Sequence, residues 1–207
     1  MYRKFFKRPM DFILSLMAIT ILSPVLMVVA MLVRLKLGSP VLFKQKRPGL
    51  DEKINTKHKY RTMTDEKDEN DELLSDSIRL TRFGRMLRST SLDELPELFN
   101  ILKGDMSIVG PRPLAIQYLP YYTETERIRH SVRPGLSGLA QINGRNTATW
   151  EERFNYDVKY VNEITFLGDL KIIIQTVLKA IQRSDIGERG VDAPMDFDKY
   201  RMKDFWR

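Results

Sequence analysis

The most apolar part of the chain is a run near its beginning, "FILSLMAITILSPVLMVVAMLV", residues 12–33, which holds 22 residues without a formal charge. A helix rises about 1.5 Å per residue, so a helix of this length matches a hydrocarbon core about 30 Å thick. A cleaved signal peptide has a shorter apolar run, about 7 to 15 residues, and an A-x-A-like site after it, which is not found here. The pattern therefore predicts a segment that stays in a membrane.

Two features of this segment favour a helix that enters and leaves the membrane on the same face. Ser23-Pro24 lies at mid-depth, where proline removes its own N–H and frees the carbonyl of Thr20. The hydroxyls of Thr20 and Ser23 are expected to satisfy backbone groups at the bend, since unpaired polar groups are costly in lipid. Both flanks are basic, and basic flanks prefer the cytoplasmic side; they contain Arg3, Lys4, Lys7, Arg8, Arg34, Lys36, Lys44, Lys46 and Arg47. We predict a re-entrant helix–break–helix in residues 1–38, broken at Ser23-Pro24, with a kinked single-pass helix as the alternative.

The rest of the chain, residues 39–207, is predicted to form a cytoplasmic domain that is mainly α-helical with a small β-hairpin. "VLFKQKR", residues 41–47, and "TKHKYRTM", residues 56–63, predict the two strands, because the Pro48-Gly49 pair between them signals a turn. Thr149 and Glu152 form a capping box that predicts a helix over residues 150–164. Helical periodicity predicts a second scaffold helix, with its apolar face at Leu170, Ile173, Ile174, Val177, Leu178 and Ile181.

Apolar and aromatic residues recur near the basic C-terminus. They are Met195, Phe197, Tyr200, Met202, Phe205 and Trp206. This composition is typical of residues at a membrane interface, and it also suits packing onto the domain. Both interpretations stand at the level of sequence.

Composition limits the chemistry. The net charge of +7 and the pI near 9.5 indicate an anionic partner: nucleic acid, an anionic lipid surface or a phosphorylated substrate. The sequence contains no cysteine, which excludes a disulfide framework, a zinc–thiolate site and a cysteine nucleophile.

The stretch "STSLDELPELFN", residues 89–100, places Asp93 beside Glu94 and follows them with Pro96. One interpretation is structural, because Ser91 and Glu94 match a capping box. Pro96, however, has no N–H to donate to the carbonyl of Leu92, so the helix must begin late or irregularly, at a backbone terminus that attracts phosphate. A carboxylate can act as a nucleophile towards phosphorus while its neighbour holds Mg²⁺ or takes a proton.

Phosphorus chemistry also needs cations, and the sequence offers them in rigid settings. "GPRP", residues 110–113, encloses Arg112 between two prolines. "RPGLSGLAQINGRN", residues 133–146, contains three glycines and Arg145, and its backbone N–H groups can come close to a phosphate. Lys59 and Arg61 lie in "KYRTM", where exposed strand residues are the commoner interpretation.

In combination these motifs resemble one family. The Ser-Pro-broken apolar segment, "FKQKRPG", "KYRTM", "LTRFGRMLRSTSLDELPELFNILKGDMSIVGPRP" and "VRPGLSGLAQINGR" are similar, over almost the whole chain, to the monotopic phosphoglycosyl transferases of the bacterial sugar transferase family. The resemblance implies transfer of a sugar 1-phosphate from a UDP-sugar to polyprenyl (undecaprenyl) phosphate, with release of UMP. It implies a mainly helical catalytic domain with interfacial helices, at the cytoplasmic face of the bacterial inner membrane.

The resemblance also assigns roles to residues. Asp93 would attack the sugar-bearing phosphate and form a covalent phosphosugar, which polyprenyl phosphate then accepts in a ping-pong mechanism. Glu94 would be a metal partner or proton acceptor, with Mg²⁺ held by Asp93 and Glu94. Arg88 and Arg112 would bind phosphate, together with Lys59 and Arg145.

The donor expected from this resemblance is UDP-N,N'-diacetylbacillosamine, for protein N-glycan assembly. Another UDP-HexNAc, for capsule, O-antigen or exopolysaccharide, is the alternative. Membrane lipids and downstream glycosyltransferases are the other expected partners.

Three rival functions fit part of the sequence. A membrane-tethered nucleic-acid binder would use the positive charge, but no recognition-helix or base-stacking pattern supports it. A membrane scaffold explains the apolar segment but not the acid pair. A phosphatase-like hydrolase shares the Asp nucleophile and differs by using water as acceptor.

Overall fold

The computed structural model describes residues 1–144, 148–182 and 196–205. In these residues the helices, in chain order, are α1 (Lys7–Leu37), α2 (Asp76–Arg79), α3 (Arg82–Ser89), α4 (Glu97–Lys103), α5 (Glu124–Arg127), α6 (Leu139–Asn143), α7 (Trp150–Asn162), α8 (Phe166–Gln182) and α9 (Phe197–Phe205). The strands are β1 (Leu42–Pro48), β2 (Ile54–Tyr60), β3 (Ser107–Val109) and β4 (Gly135–Ser137). The predicted fold class, mainly helical with a small hairpin, is confirmed.

Helix α1 extends over Lys7–Leu37 with Pro24 inside it, and Pro24 has no N–H to donate to the Thr20 carbonyl. The Ser23 hydroxyl donates to the Thr20 carbonyl at 2.8 Å and so satisfies the group that Pro24 frees, as the sequence predicts. The break at Ser23-Pro24 stays a prediction. Thr20 Oγ1 in turn donates to the Leu16 carbonyl at 2.9 Å. Residues Tyr2–Leu37 are long and apolar enough to cross a membrane, and the re-entrant path of the helix in a bilayer stays a prediction.

One side of α1 packs along the rest of the described chain on both sides of Pro24. Before it, the Arg8 guanidinium donates to the carbonyls of Ile101 and Leu102 at the end of α4, at 2.6 and 2.8 Å. After it, the buried side chains are Leu26, Val29 and Val33, which pack with Tyr60 of β2 and Leu87 of α3. The opposite side of the helix exposes apolar residues, among them Ile13, Met17, Ile21, Met27 and Leu35.

The hairpin forms as predicted, and its antiparallel register runs from Leu42 opposite Tyr60 to Pro48 opposite Ile54. The turn begins at Gly49, whose N–H donates to the Lys53 carbonyl at 2.8 Å. Asn100 of α4 fixes β2, since its Nδ2 donates to the Thr56 carbonyl and its Oδ1 accepts from the His58 N–H. The hairpin is therefore held between α4 and the second half of α1.

Two short parallel strands, β3 and β4, were not predicted from the sequence. They border the main core, which contains Val109, Val132, Ile142, Tyr160, Val161 and Ile172. Helix α7 begins at the predicted capping box, where Glu152 N–H donates to Thr149 Oγ1 and Thr149 N–H donates to Glu152 Oε2. The capping box prediction is confirmed.

Helix α8 is confirmed, but most of its predicted apolar face is exposed rather than packed. Ile172 is buried and Ile173 packs on the core, so these residues anchor the helix. The outward face carries Phe166, Leu167, Leu170, Ile174, Val177 and Leu178. Periodicity identified the helix correctly, because an amphipathic helix has the same period whether its apolar face meets a core or a lipid surface.

The C-terminal aromatic residues pack onto the domain where they are described. Phe197 is completely buried against Trp150, Phe154, Tyr118 and Tyr122. Met195 and Trp206, and the side chain of Phe205, lie outside the described part of the chain.

Candidate active site

The acid pair lies on a single 3-10 turn, Leu92–Glu94, between α3 and α4. Ser91 opens this turn with φ +56°, in the left-handed region that non-glycine residues seldom adopt, and its side chain makes no capping hydrogen bond. The capping-box interpretation of Ser91 and Glu94 is therefore wrong. Pro96 is the N-cap of α4, which confirms that this helix begins late, as its missing N–H requires. The turn leaves Asp93 and Glu94 only 4% and 6% exposed.

Glu94 is the point where three of the predicted site residues meet. Its Oε1 accepts from Lys59 Nζ at 2.7 Å and from Arg112 Nη2 at 2.7 Å. The Glu94 carboxylate raises the pKa of Arg112 above its usual value, so this guanidinium stays charged. Lys59 comes from β2, Glu94 from the acid turn and Arg112 from the segment after β3, so the contact joins residues that are distant in sequence.

A second, fully enclosed ion pair lies beside this one and was missed from the sequence. Glu97 Oε1 is 2.9 Å from Lys57 Nζ and 3.7 Å from Lys59 Nζ, and the Glu97 side chain is 0% exposed. Burial raises the pKa of Glu97 and lowers the pKa of Lys57, while each is drawn back by its partner's charge. The sequence signal for this pair was spacing. Lys57 and Lys59 are two apart on a strand and so share a face, and Glu97 is three residues after Glu94, a spacing that brings side chains close together along a helical path.

Two further predicted site residues are Arg88 and Arg145. Arg88 lies near the end of α3, directly before the acid turn, and its Nε donates to Thr62 Oγ1 at 3.1 Å. Arg145 lies outside the described residues. The structure thus brings Lys59, Glu94 and Arg112 together beside Asp93.

A cleft of about 790 Å³ opens beside Lys59 and Arg112. One wall is the hairpin, through Gln45, Arg47, Lys57 and Lys59, and the other is the segment from Arg112 to Tyr118. A volume of this order holds a ligand of nucleotide size. Five basic side chains line it, Lys46, Arg47, Lys57, Lys59 and Arg112, against two acidic ones, Asp76 and Asp196, so its net charge favours an anion.

The acid pair supplies the type of donor that Mg²⁺ prefers. Within the described ranges, no group of three or more His, Cys, Asp or Glu side chains forms a ready metal cluster. Mg²⁺ in phosphoryl-transfer sites is commonly held by one or two carboxylates together with substrate phosphates. The two carboxylates of Asp93 and Glu94 fit this arrangement, in which the diphosphate of the substrate supplies the remaining ligands.

The family model described as bacterial sugar transferase matches residues 2–183. The chain is 51% identical over 175 residues to an uncharacterized sugar transferase, EpsL, of Bacillus subtilis, and this covers 84% of the chain and 87% of that protein.

Two further relatives have names that state a reaction. A UDP-glucose:undecaprenyl-phosphate glucose-1-phosphate transferase of Klebsiella pneumoniae is 42% identical over 184 residues, which is 84% of the chain and 40% of that protein. An undecaprenyl-phosphate galactose phosphotransferase of Salmonella typhimurium is 34% identical over 197 residues, or 87% of the chain and 41% of that protein. The chain therefore spans about two fifths of the length of these two relatives.

Proposed function

Because the chain belongs to the bacterial sugar transferase family, we propose that it transfers a sugar 1-phosphate from a UDP-sugar to polyprenyl phosphate and releases UMP. The names of the Klebsiella and Salmonella relatives support undecaprenyl phosphate as the acceptor. The observation that carries the proposal is the contact of Glu94 with Lys59 and Arg112, next to Asp93 and at the edge of a cationic cleft.

Asp93 is the proposed nucleophile. One carboxylate oxygen of Asp93 forms a bond to the phosphorus atom that carries the sugar, while the bond from that phosphorus to the bridging diphosphate oxygen breaks. The electron pair leaves with UMP, and the sugar phosphate stays on Asp93 as an acyl phosphate. A phosphate oxygen of polyprenyl phosphate then forms a bond to the same phosphorus, and the Asp93 carboxylate is regenerated.

The neighbouring residues position charge for these two displacements. Lys59 and Arg112 hold Glu94 when no diphosphate is bound, and both can donate to phosphate oxygens as negative charge shifts towards the leaving group. We propose Arg88 as a further phosphate ligand, and Arg145 as one in the undescribed segment. Glu94 serves as metal ligand or as proton acceptor.

Asp93 and Glu94 would hold Mg²⁺. When bound there, the ion would neutralise diphosphate charge, as it does in other phosphoryl transfers. Its requirement is a proposal that rests on the donor chemistry of these two carboxylates.

We propose that α1 holds the domain at the cytoplasmic face of the bacterial inner membrane without spanning it. Contacts to one domain on both sides of Pro24 support this, because an upright span would place half of its length away from a domain on one face. The exposed apolar face of α8 supports an additional interfacial contact. Such a position suits two substrates of which one is soluble and the other has its phosphate at headgroup level.

The identity of the donor sugar is a separate part of the proposal. We retain UDP-N,N'-diacetylbacillosamine as the first donor to test, with its product passing to glycosyltransferases that extend a lipid-linked glycan. The relatives named above act, by their names, with glucose or galactose, so UDP-glucose and UDP-galactose belong in the same panel.

The experiment is UMP release by the purified full chain, measured for each UDP-sugar with and without undecaprenyl phosphate. A transferase gives turnover that depends on the lipid. Turnover that continues without lipid would make the protein a hydrolase, and no UMP from any donor would contradict both reactions.

A further inference from the structure

Arg47, near the end of β1, stands out in the cleft because its charge has no counterpart. It is half-buried and lines the cleft. Within residues 1–144, 148–182 and 196–205 its guanidinium makes no hydrogen bond and no ion pair. A guanidinium group has five N–H donors. When burial removes part of its hydration water, the group needs another hydrogen-bond acceptor in place of that water. An anionic ligand would supply it.

The hairpin register places Arg47 in one row with the two lysines of the site. Arg47 is opposite Asn55 in the antiparallel ladder, and residues 55, 57 and 59 of β2 alternate onto one face. Lys59 lies four positions after Asn55, which is about 13 Å along a strand. Lys57 is compensated by Glu97 and Lys59 by Glu94, so the uncompensated charge is at the Arg47 end.

The electrostatic environment agrees with this geometry. Burial lowers the pKa of Arg47, and the positive charge of Arg112 across the cleft lowers it further. Two guanidinium groups that face one cleft repel each other until an anion lies between them. Arg112 forms an ion pair with Glu94. Arg47 forms none within the described residues, although Tyr118, Tyr122 and Glu97 act on its pKa in the opposite direction.

The two ends of this row differ in their distance from α1. Tyr60, the residue after Lys59, donates its hydroxyl to the Leu26 carbonyl of α1 at 2.8 Å. Arg47 lies at the other end of the hairpin, next to the turn. A lipid phosphate at headgroup level therefore approaches the Lys59 end, and a soluble anion has access to the Arg47 end.

We propose that Arg47 binds the nucleotide phosphate of the donor, the phosphate that leaves as UMP. The inference rests on the proposed function, since it names which part of the UDP-sugar occupies the far end of the cleft. It assigns Lys59 and Arg112 to the transferred phosphate and Arg47 to the leaving one.

The test is equilibrium binding of UMP to the full chain in nanodiscs, with Arg47→Met as the variant and Arg47→Lys as the conservative one. Lys44→Met is the matched control, because Lys44 is exposed on the other face of the same strand and the change removes the same charge. Arg47→Met is expected to weaken UMP binding by at least about tenfold, as the loss of a charge-assisted hydrogen bond predicts. Arg47→Lys should recover part of that affinity, and Lys44→Met should bind UMP within about twofold of the wild type.

A parallel arm measures kcat/KM for undecaprenyl phosphate, which in a ping-pong mechanism reports only the second displacement and which Arg47→Met should leave unchanged. If Arg47→Met binds UMP as tightly as Lys44→Met does, the inference is overturned, and an effect of Arg47→Met confined to the lipid substrate would overturn it too.

UMP binding can be measured without turnover, so the proposed function and the inference about Arg47 are tested separately. Arg47-dependent UMP binding without any transferase activity would contradict the proposed function alone, and lipid-dependent activity with unchanged UMP binding in Arg47→Met would contradict this inference alone.

Discussion

Glu97 is the most deeply buried charged residue of the candidate site, and it connects Glu94 with both lysines of β2. Its carboxylate lies near Lys57 and Lys59, while Lys59 also binds Glu94. A buried ion pair is not necessarily more stabilising than apolar packing, but the loss of one partner leaves an uncompensated charge. The pair is therefore expected to keep Lys59 in place for Glu94.

Glu97→Gln should lower the free energy of unfolding by about 3 to 5 kcal/mol, because Lys57 would lose its counter-charge in a buried position. The measurement is chemical unfolding in detergent, followed by tryptophan fluorescence. Glu72→Gln is the control, since Glu72 is exposed on a loop. The double variant Lys57→Met with Glu97→Gln should recover much of the loss, and equal stability of Glu97→Gln and Glu72→Gln would refute the argument.

The sequence identified individual site candidates, but it did not predict their contacts. The Asp93-Glu94 pair and Arg112 were recognisable because acids before a proline and an arginine between prolines are unusual local patterns. Their contact through Lys59 depends on how β2 packs against the acid turn, which no local pattern contains. The capping box at Ser91 was wrong, because Ser91 adopts a left-handed backbone and its side chain makes no capping hydrogen bond.

At the scale of elements, the start of α1 is tied to α8 by one buried carboxylate. Asp169 accepts from Tyr2 Oη at 2.7 Å, from Lys7 Nζ at 2.7 Å and from Tyr160 Oη at 2.9 Å. Asp11 of α1 makes a second connection, to Ser107 Oγ of β3 at 2.7 Å. These contacts fix where the membrane segment leaves the domain.

Asp169→Asn should loosen this end of α1, since the ion pair with Lys7 is lost and one oxygen acceptor becomes a donor. The expected result is backbone amide exchange at least about tenfold faster in residues 2–10, the effect of losing one charged hydrogen bond. Hydrogen exchange with mass spectrometry measures it. Glu163→Gln, an exposed carboxylate just before α8, is the control, and unchanged exchange in Asp169→Asn would contradict the role of this contact.

Elements with strong local signals were predicted well. The hairpin, the capped helix α7 and the long apolar helix α1 each carry a period or a cap that one segment defines. Strands β3 and β4 were missed because each is three residues long and pairs only through the tertiary fold. The sequence left open what covers the outward face of α8, because periodicity does not say what an apolar face packs against.

For the whole molecule, exposed apolar residues of α1 and α8 border one shared groove, whose lining includes Phe6, Met10, Ile13 and Phe166. The outer side of α1 meets α8 where Tyr2 packs edge-on against Phe166, with ring centroids 5.9 Å apart. Both helices expose apolar residues around this contact. The protein is therefore expected to lie on a membrane over the length of α1 and part of α8.

Cysteine labelling distinguishes this arrangement from a spanning helix. The natural sequence has no cysteine, so single introduced cysteines give no background. Lys4→Cys, before the apolar run, and Leu73→Cys, on the exposed acidic loop, should both resist a membrane-impermeant thiol reagent in intact cells. Both should react after lysis. Labelling of Lys4→Cys but not Leu73→Cys in intact cells would instead support a single-pass span.

The central claim is that Asp93 carries the sugar phosphate, and the most direct measurement is the intact mass of the protein after mixing with the donor UDP-sugar in the absence of lipid. The wild type and the exposed-loop control Asp71→Asn should gain the mass of one sugar phosphate and release one UMP. Asp93→Asn should gain none, and its UMP release should fall at least about a thousandfold, as expected when a covalent nucleophile is removed. An Asp93→Asn protein that still forms the adduct and turns over at the wild-type rate would contradict the account.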